Sequence, residues 1–122
     1  AHIRFTAFDD APATQSPRMI GVIRDEIGFD GLLMTDDIGM EALAGGMGER
    51  AAASIAAGCD LVLHCKGDRA GMEPAVAAAG RLSPAAAARA EAALSRRLPP
   101  EPVDIRALEA ELEALLGGTA HG

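Results

Sequence analysis

Gly31-Leu32-Leu33-Met34-Thr35-Asp36-Asp37 is the stretch on which the reading of this chain turns. An uncharged, mostly apolar run closed by two carboxylates reads as a strand covered on both faces that delivers its acidic residues at its carboxyl end. Two other short apolar or β-branched runs stand out, Ile3 to Ala7 and Cys59 to His64, and a helix signal follows each of the three. Ile3, Leu32 and Leu61 recur 29 residues apart, about the length of one βαβ unit. The runs are near-continuously apolar rather than alternating, as parallel strands with helices packed on them are. The expected class is therefore α/β. Right-handed βα units at this interval suit a doubly wound sheet or a (β/α)8 barrel, and a barrel needs about 250 residues. Three units leave open sheet edges. The units share no sequence similarity, which argues against a solenoid array.

Between the strands the helix punctuation is explicit. Ser16-Pro17 is a cap followed by proline at the first helical position, and Met19, Ile20, Ile23 and Ile27 then fall on one face up to Gly28. A glycine-rich loop, Ala44-Gly45-Gly46-Met47-Gly48, leads into a helix over Glu49 to Ala57 that Gly58 is placed to end. A third helix is expected from about Arg69 to Gly80. Ser83-Pro84 starts an alanine-rich helix, Ala85 to Leu98, stopped by Pro99-Pro100 and Pro102. Asp104 caps a last helix with Ile105, Leu108, Leu112 and Leu115 at helical spacing, ending at Gly117-Gly118. That stripe needs a partner surface. The tail Thr119-Ala120-His121-Gly122 is expected to be loose.

Composition narrows the function classes. Of 122 residues, 49% are hydrophobic and 24% charged, which excludes a disordered polymer or a collagen-like fibre. The net charge is −7 and tryptophan and tyrosine are absent, so a nucleic-acid partner is not expected: neither a basic face nor stacking platforms are present. No apolar run reaches the roughly 18 residues of a membrane span, and AHIRFTAFDD lacks the basic start and apolar core of a signal peptide. With three phenylalanines as the whole aromatic complement, the core must come from Ala, Leu, Ile, Val and Met. The chain opens at Ala1 in a strand-like run without an initiator Met, and the expectation is a piece of a longer protein. Cys59 and Cys65 would stand ~20 Å apart on an extended chain, beyond the roughly 7 Å a disulfide allows, so both are expected as free thiols in a reducing compartment.

Asp36 and Asp37 occupy the most informative position, because parallel α/β folds gather ligands and catalytic groups at the carboxyl ends of their strands. The plainer role for one of them is to cap a turn or helix starting at Ile38-Gly39-Met40. A carboxylate at a strand mouth can act as nucleophile, metal ligand or general base. No His/Asp/Glu cluster stands at ligand spacing, so no metal is expected, and His64-Cys65 reads as a buried structural pair. His2 reads as structural and Asp9-Asp10 as a loop anchor. Gly45-Gly46-Met47-Gly48 matches no phosphate-binding pattern and reads as a flexible connection.

Ala1-His2-Ile3, Phe8-Asp9-Asp10-Ala11-Pro12-Ala13-Thr14-Gln15-Ser16, Gly28-Phe29-Asp30-Gly31 through Met40, and Ala57-Gly58-Cys59-Asp60-Leu61-Val62-Leu63 together resemble the family 3 glycoside hydrolases. More narrowly they are similar to the bacterial β-N-acetylhexosaminidases, cytoplasmic enzymes of peptidoglycan recycling. The resemblance covers residues 1–66 in order. It implies a partial (β/α)8 TIM-type barrel, its last three βα units, over residues 1–98, followed by a linker and C-terminal amphipathic helix over 99–122. It further implies that Asp36 is the nucleophile of a retaining hydrolysis of β-linked N-acetylglucosamine from muropeptides, with no cofactor, and that Asp37 orients the loop or accepts local backbone hydrogen bonds. The family's acid/base is a histidine in a K-H-F-P-G-H-G-D type of loop; none of His2, His64 and His121 sits in one, and the substrate-binding residues stay unassigned. The 122 residues alone are expected to be nearly inert. The alternative from a different class is a non-catalytic helical interaction module whose Asp pair only caps.

Overall fold

A computed structural model describes residues 1–117. Gly118 and the tail Thr119-Ala120-His121-Gly122 lie outside them. The architecture is α/β: β1 (Met34–Asp37) and β2 (Leu61–Leu63) form a parallel pair, and helices α1 (Pro17–Gly21), α2 (Met47–Ala57), α3 (Arg69–Ala79), α4 (Pro84–Ser95) and α5 (Ile105–Leu115) alternate with and follow them. α2 is the crossover between the two strands, as the parallel pairing requires.

Helix starts fall where the punctuation puts them, but α4 ends at Ser95, three residues before the expected Leu98 and short of the prolines. Ser16, Asp68, Ser83 and Asp104 each accept a hydrogen bond from the amide three residues on, Met19, Gly71, Ala86 and Ala107. α2 ends at Gly58, whose φ of 111° is one that a side chain would strain. A Cβ there would also meet Ile20 Cγ2 at 2.9 Å.

Three expectations are corrected. Ile3 to Ala7 is not a strand: the Phe8 and Asp9 amides donate to the Phe5 carbonyl and the Ala13 amide to that of Ile3, so its backbone is used in a local turn and one bridge, Arg4 to Pro12. Its Ile3 and Phe5 are exposed. The second strand starts three residues later than its apolar run, because pairing begins where Met34 meets Leu61; the aspartates thus lie within β1 instead of after it. Finally, α1 passes into a π turn, Val22–Glu26, with the Ile27 amide bonded to the Val22 carbonyl five residues back. The extra residue advances the helical phase by about 100°, so Ile20 is buried while Ile27 is 71% exposed.

Two small clusters hold the fold. Ile38, Leu43, Ala51 and Ala75 pack with Met47 and Val62; Ile20, Ala57 and Cys59 pack with Ile23 and Leu33. Alanine supplies the contact surface of α2, which lets it lie close to α3. α5 buries none of its residues: Ile105, Leu108, Leu112 and Leu115 are all exposed. Both cysteines are free, Cys59 buried and Cys65 exposed. No described helix is long and apolar enough to cross a membrane.

Candidate active site

The carboxyl end of β1 is shaped by an irregularity. Met34 pairs with Leu61 and Asp37 with Leu63, so β1 takes three steps where β2 takes two. The surplus residue makes a bulge at Thr35-Asp36. There the buried Thr35 hydroxyl, in place of a main-chain carbonyl, accepts the Leu63 amide at 3.0 Å, and the ladder resumes with the Ile38 amide on the Leu63 carbonyl at 2.8 Å. Bulges redirect side chains, and this one sends the two neighbouring carboxylates to different surroundings.

Asp36 is exposed, and its Oδ1 accepts the Asp37 amide at 2.9 Å. Asp37 turns to the protein. Its Oδ1 accepts the amides of Gly39 (2.8 Å) and Cys65 (3.1 Å). These two bonds, the Gly39 one foremost, hold its carboxyl below the usual range against the opposing effect of burial, and the nearby His64 adds to them. Its main-chain oxygen accepts from His2 Nε2 at 2.9 Å, while His2 Nδ1 pairs with the Thr14 hydroxyl at 2.6 Å. Asp37 therefore caps a turn over Ile38 to Met40, and no helix starts there. His2, read as structural, is buried and ties the chain start to the end of β1.

His64 lies at the end of β2 with its ring 7% exposed, Nδ1 3.7 Å from Asp37 Oδ1 and Nε2 3.5 Å from Asp68 Oδ2. Its neighbour Cys65 is exposed, so the two are not a buried pair. Among the described residues no group of three or more His, Cys, Asp and Glu side chains is arranged to hold a metal. Asp9 is the anchor of its loop, accepting the Ser16 hydroxyl and the Ala11 amide, in that order the causes that lower its carboxyl. The Gly45 to Gly48 loop is tied down instead of flexible: Glu49 accepts the Gly46 amide, and Arg50 donates to the carbonyls of Gly45, Ile38 and Met40. A hollow of about 590 Å³ opens elsewhere, between β2, α3 and the start of α4, lined by Leu61, Val62, Met72, Val76 and Leu82 with His64 at its edge; Asp36 is not part of its lining.

Residues 1–96, which include this whole strand end and stop just past α4, match the glycosyl hydrolase family 3 N-terminal domain. The chain belongs to that family. Among the relatives of this family 3 chain, a β-hexosaminidase of Tolumonas auensis is 45% identical over 98 residues, 78% of this chain and 28% of that protein. A β-hexosaminidase of Alkalilimnicola ehrlichii is 47% identical over 68 residues, 53% of this chain and 20% of that protein. The crystal structure of CbsA from Thermotoga neapolitana superposes with a TM-score of 0.53 at 31% identity, over 62% of this chain and 18% of that one. The chain thus spans between a fifth and somewhat over a quarter of the length of these curated relatives.

Proposed function

We propose that this family 3 chain is the part of a retaining β-N-acetylhexosaminidase that carries the nucleophile, Asp36, and that residues 1–98 form the last βα units of a (β/α)8 barrel, followed over 99–122 by a linker and C-terminal amphipathic helix. The carrying observation is the exposed Asp36 carboxylate on a bulge at the carboxyl end of a parallel strand, beside an Asp37 whose Oδ1 accepts two backbone amides. Only the first of the two is free of such ties to the following turn, and only a carboxylate that approaches substrate can attack it.

In the proposed reaction an Asp36 oxygen bonds to the anomeric carbon of a terminal β-linked N-acetylglucosamine as the bond to the aglycone oxygen breaks. That oxygen takes a proton from an acid supplied by a part of the enzyme other than these residues. Water then attacks the same carbon, its proton passing to the group that had acted as acid, while the bond to Asp36 breaks to free the carboxylate and configuration is retained. The proposed substrates are peptidoglycan fragments in the cytoplasm. A second reading, a protein-docking role for α5, is favoured by its wholly exposed apolar stripe and is compatible with the first.

In the full-length chain, Asp36→Ala is expected to abolish hydrolysis of an aryl β-N-acetylglucosaminide, while Asp37→Ala keeps measurable turnover. Equal rates for wild type and Asp36→Ala would end the assignment.

A further inference from the structure

His64 is the one ring among the described residues whose two nitrogens are both buried and both without a hydrogen-bond partner, an arrangement that is costly unless something answers it. The groups nearest its nitrogens are two carboxylates on different elements. Asp37 Oδ1 belongs to β1 and Asp68 Oδ2 to the residue that caps α3, at 3.7 and 3.5 Å, a few tenths of an ångström longer than hydrogen bonds. An ionised carboxylate only accepts. A neutral imidazole, with one N–H, would turn a lone pair toward one of these oxygens, whereas the charged ring offers a donor to each.

The other groups around Asp68 are already paired among themselves. Asp68 Oδ1 already takes the Gly71 amide at 2.7 Å, so the first turn of α3 is capped. Arg69, the nearest cation on α3, is paired with Glu73 at 2.6 Å on the exposed side. Gly71 faces the ring, and a Cβ there would stand 2.8 Å from His64 Nε2, so the ring's place depends on the missing side chain.

Asp37 links this ring to the candidate nucleophile. One of its carboxylate oxygens receives Gly39 and Cys65 and faces His64, and its amide donates to Asp36 Oδ1. We propose that His64, as an imidazolium held between Asp37 and Asp68, is a positioning residue that fixes Asp37 and through it the orientation of the Asp36 carboxylate. This rests on the reading of Asp36 as nucleophile.

The test uses the full-length chain and two readouts. The first is the ¹⁵N spectrum of the His64 ring at neutral pH, its signals identified by their loss in His64→Gln. Two N–H signals of an imidazolium are expected in wild type, and Asp68→Asn should convert the ring to a neutral tautomer. The second is turnover of the aryl β-N-acetylglucosaminide: Asp68→Asn and Gly71→Ala, which disturb the ring without removing it, should each lower kcat about tenfold with KM little changed, the mark of a displaced reacting group. Asp68→Glu should restore part of the loss. A neutral ring in wild type, or unchanged kcat in both Asp68→Asn and Gly71→Ala, overturns the proposal. Full turnover in Asp36→Ala is a separate result that overturns the nucleophile reading, and the nitrogen spectra do not depend on it.

Discussion

Asp60, at the amino end of β2, and Asp36, near the carboxyl end of β1, are the same residue type beside the same parallel pair, yet their surroundings are opposite. The Asp60 side chain is 5% exposed and fully answered: Oδ2 accepts Arg24 Nη2 at 2.7 Å and the Leu33 amide at 2.9 Å, and Oδ1 accepts Arg89 Nη1 at 2.8 Å. It joins the α1 region, the start of β1 and α4. Asp36 holds one contact, with the adjacent amide, and faces solvent. A buried carboxylate with both oxygens bonded can hold elements together but cannot reach a substrate; an exposed one with an unbonded oxygen can attack and contributes little to stability. On the proposed reading the amino end of the pair serves stability and the carboxyl end chemistry, the division expected of parallel α/β folds.

The largest effect should come from breaking the buried end. Asp60→Ala leaves two arginines facing an emptied site and is expected to cost about 3–5 kcal/mol in denaturant unfolding. A loss within about 0.5 kcal/mol would mean that the Asp60 cluster is ornamental. Acid titration sharpens the same contrast. Burial alone would raise the Asp60 carboxyl, but the Leu33 amide and the arginines outweigh it and hold it below the usual range. With its folded value under its unfolded one, Asp60 stabilises the protein above the ordinary carboxylate range, and that contribution is lost as pH falls through the lowered value. Asp60→Asn should flatten the acid limb of stability against pH, measured by thermal unfolding from neutral pH downward; an unchanged limb would assign it to other carboxylates, such as Asp37. The smallest effect belongs to the open end: Asp36→Ala should change folding stability by less than about 0.5 kcal/mol while removing activity, whereas a large loss of stability would make Asp36 a structural residue.

Local signals in the sequence carried far. Ser16, Ser83 and Asp104 announce their helices because a short polar side chain before an apolar period answers amides that the helix itself leaves open. Gly58 announces the end of α2 through its backbone freedom. The Leu61 strand and the Asp36-Asp37 end of β1 were legible from the apolar runs that precede them. What escaped depends on contacts distant in the chain. Nothing near Asp60 signals that Arg24 and Arg89 converge on it, 36 and 29 residues away. His64 draws meaning only from Asp37 across the sheet, and Thr35 from the one-residue mismatch with β2. Ile3 to Ala7 has strand composition, but a run becomes a strand only when a neighbouring strand takes up its main-chain groups, and here the Ile3 and Phe5 carbonyls accept amides of the turn that follows. The π turn after α1 inserts one residue into a period that sequence reading takes as constant, which is why the pattern groups Ile27 on one face with Ile20.

The most direct measurement is covalent trapping. The full-length chain, incubated with a slowly turned-over fluorinated N-acetylglucosaminyl donor and then digested, should yield a peptide spanning Met34 to Met40 whose mass is raised by one sugar residue, with fragmentation assigning the ester to Asp36. A sugar attached to any other residue, or product formed with inverted configuration and no covalent adduct, would contradict the account.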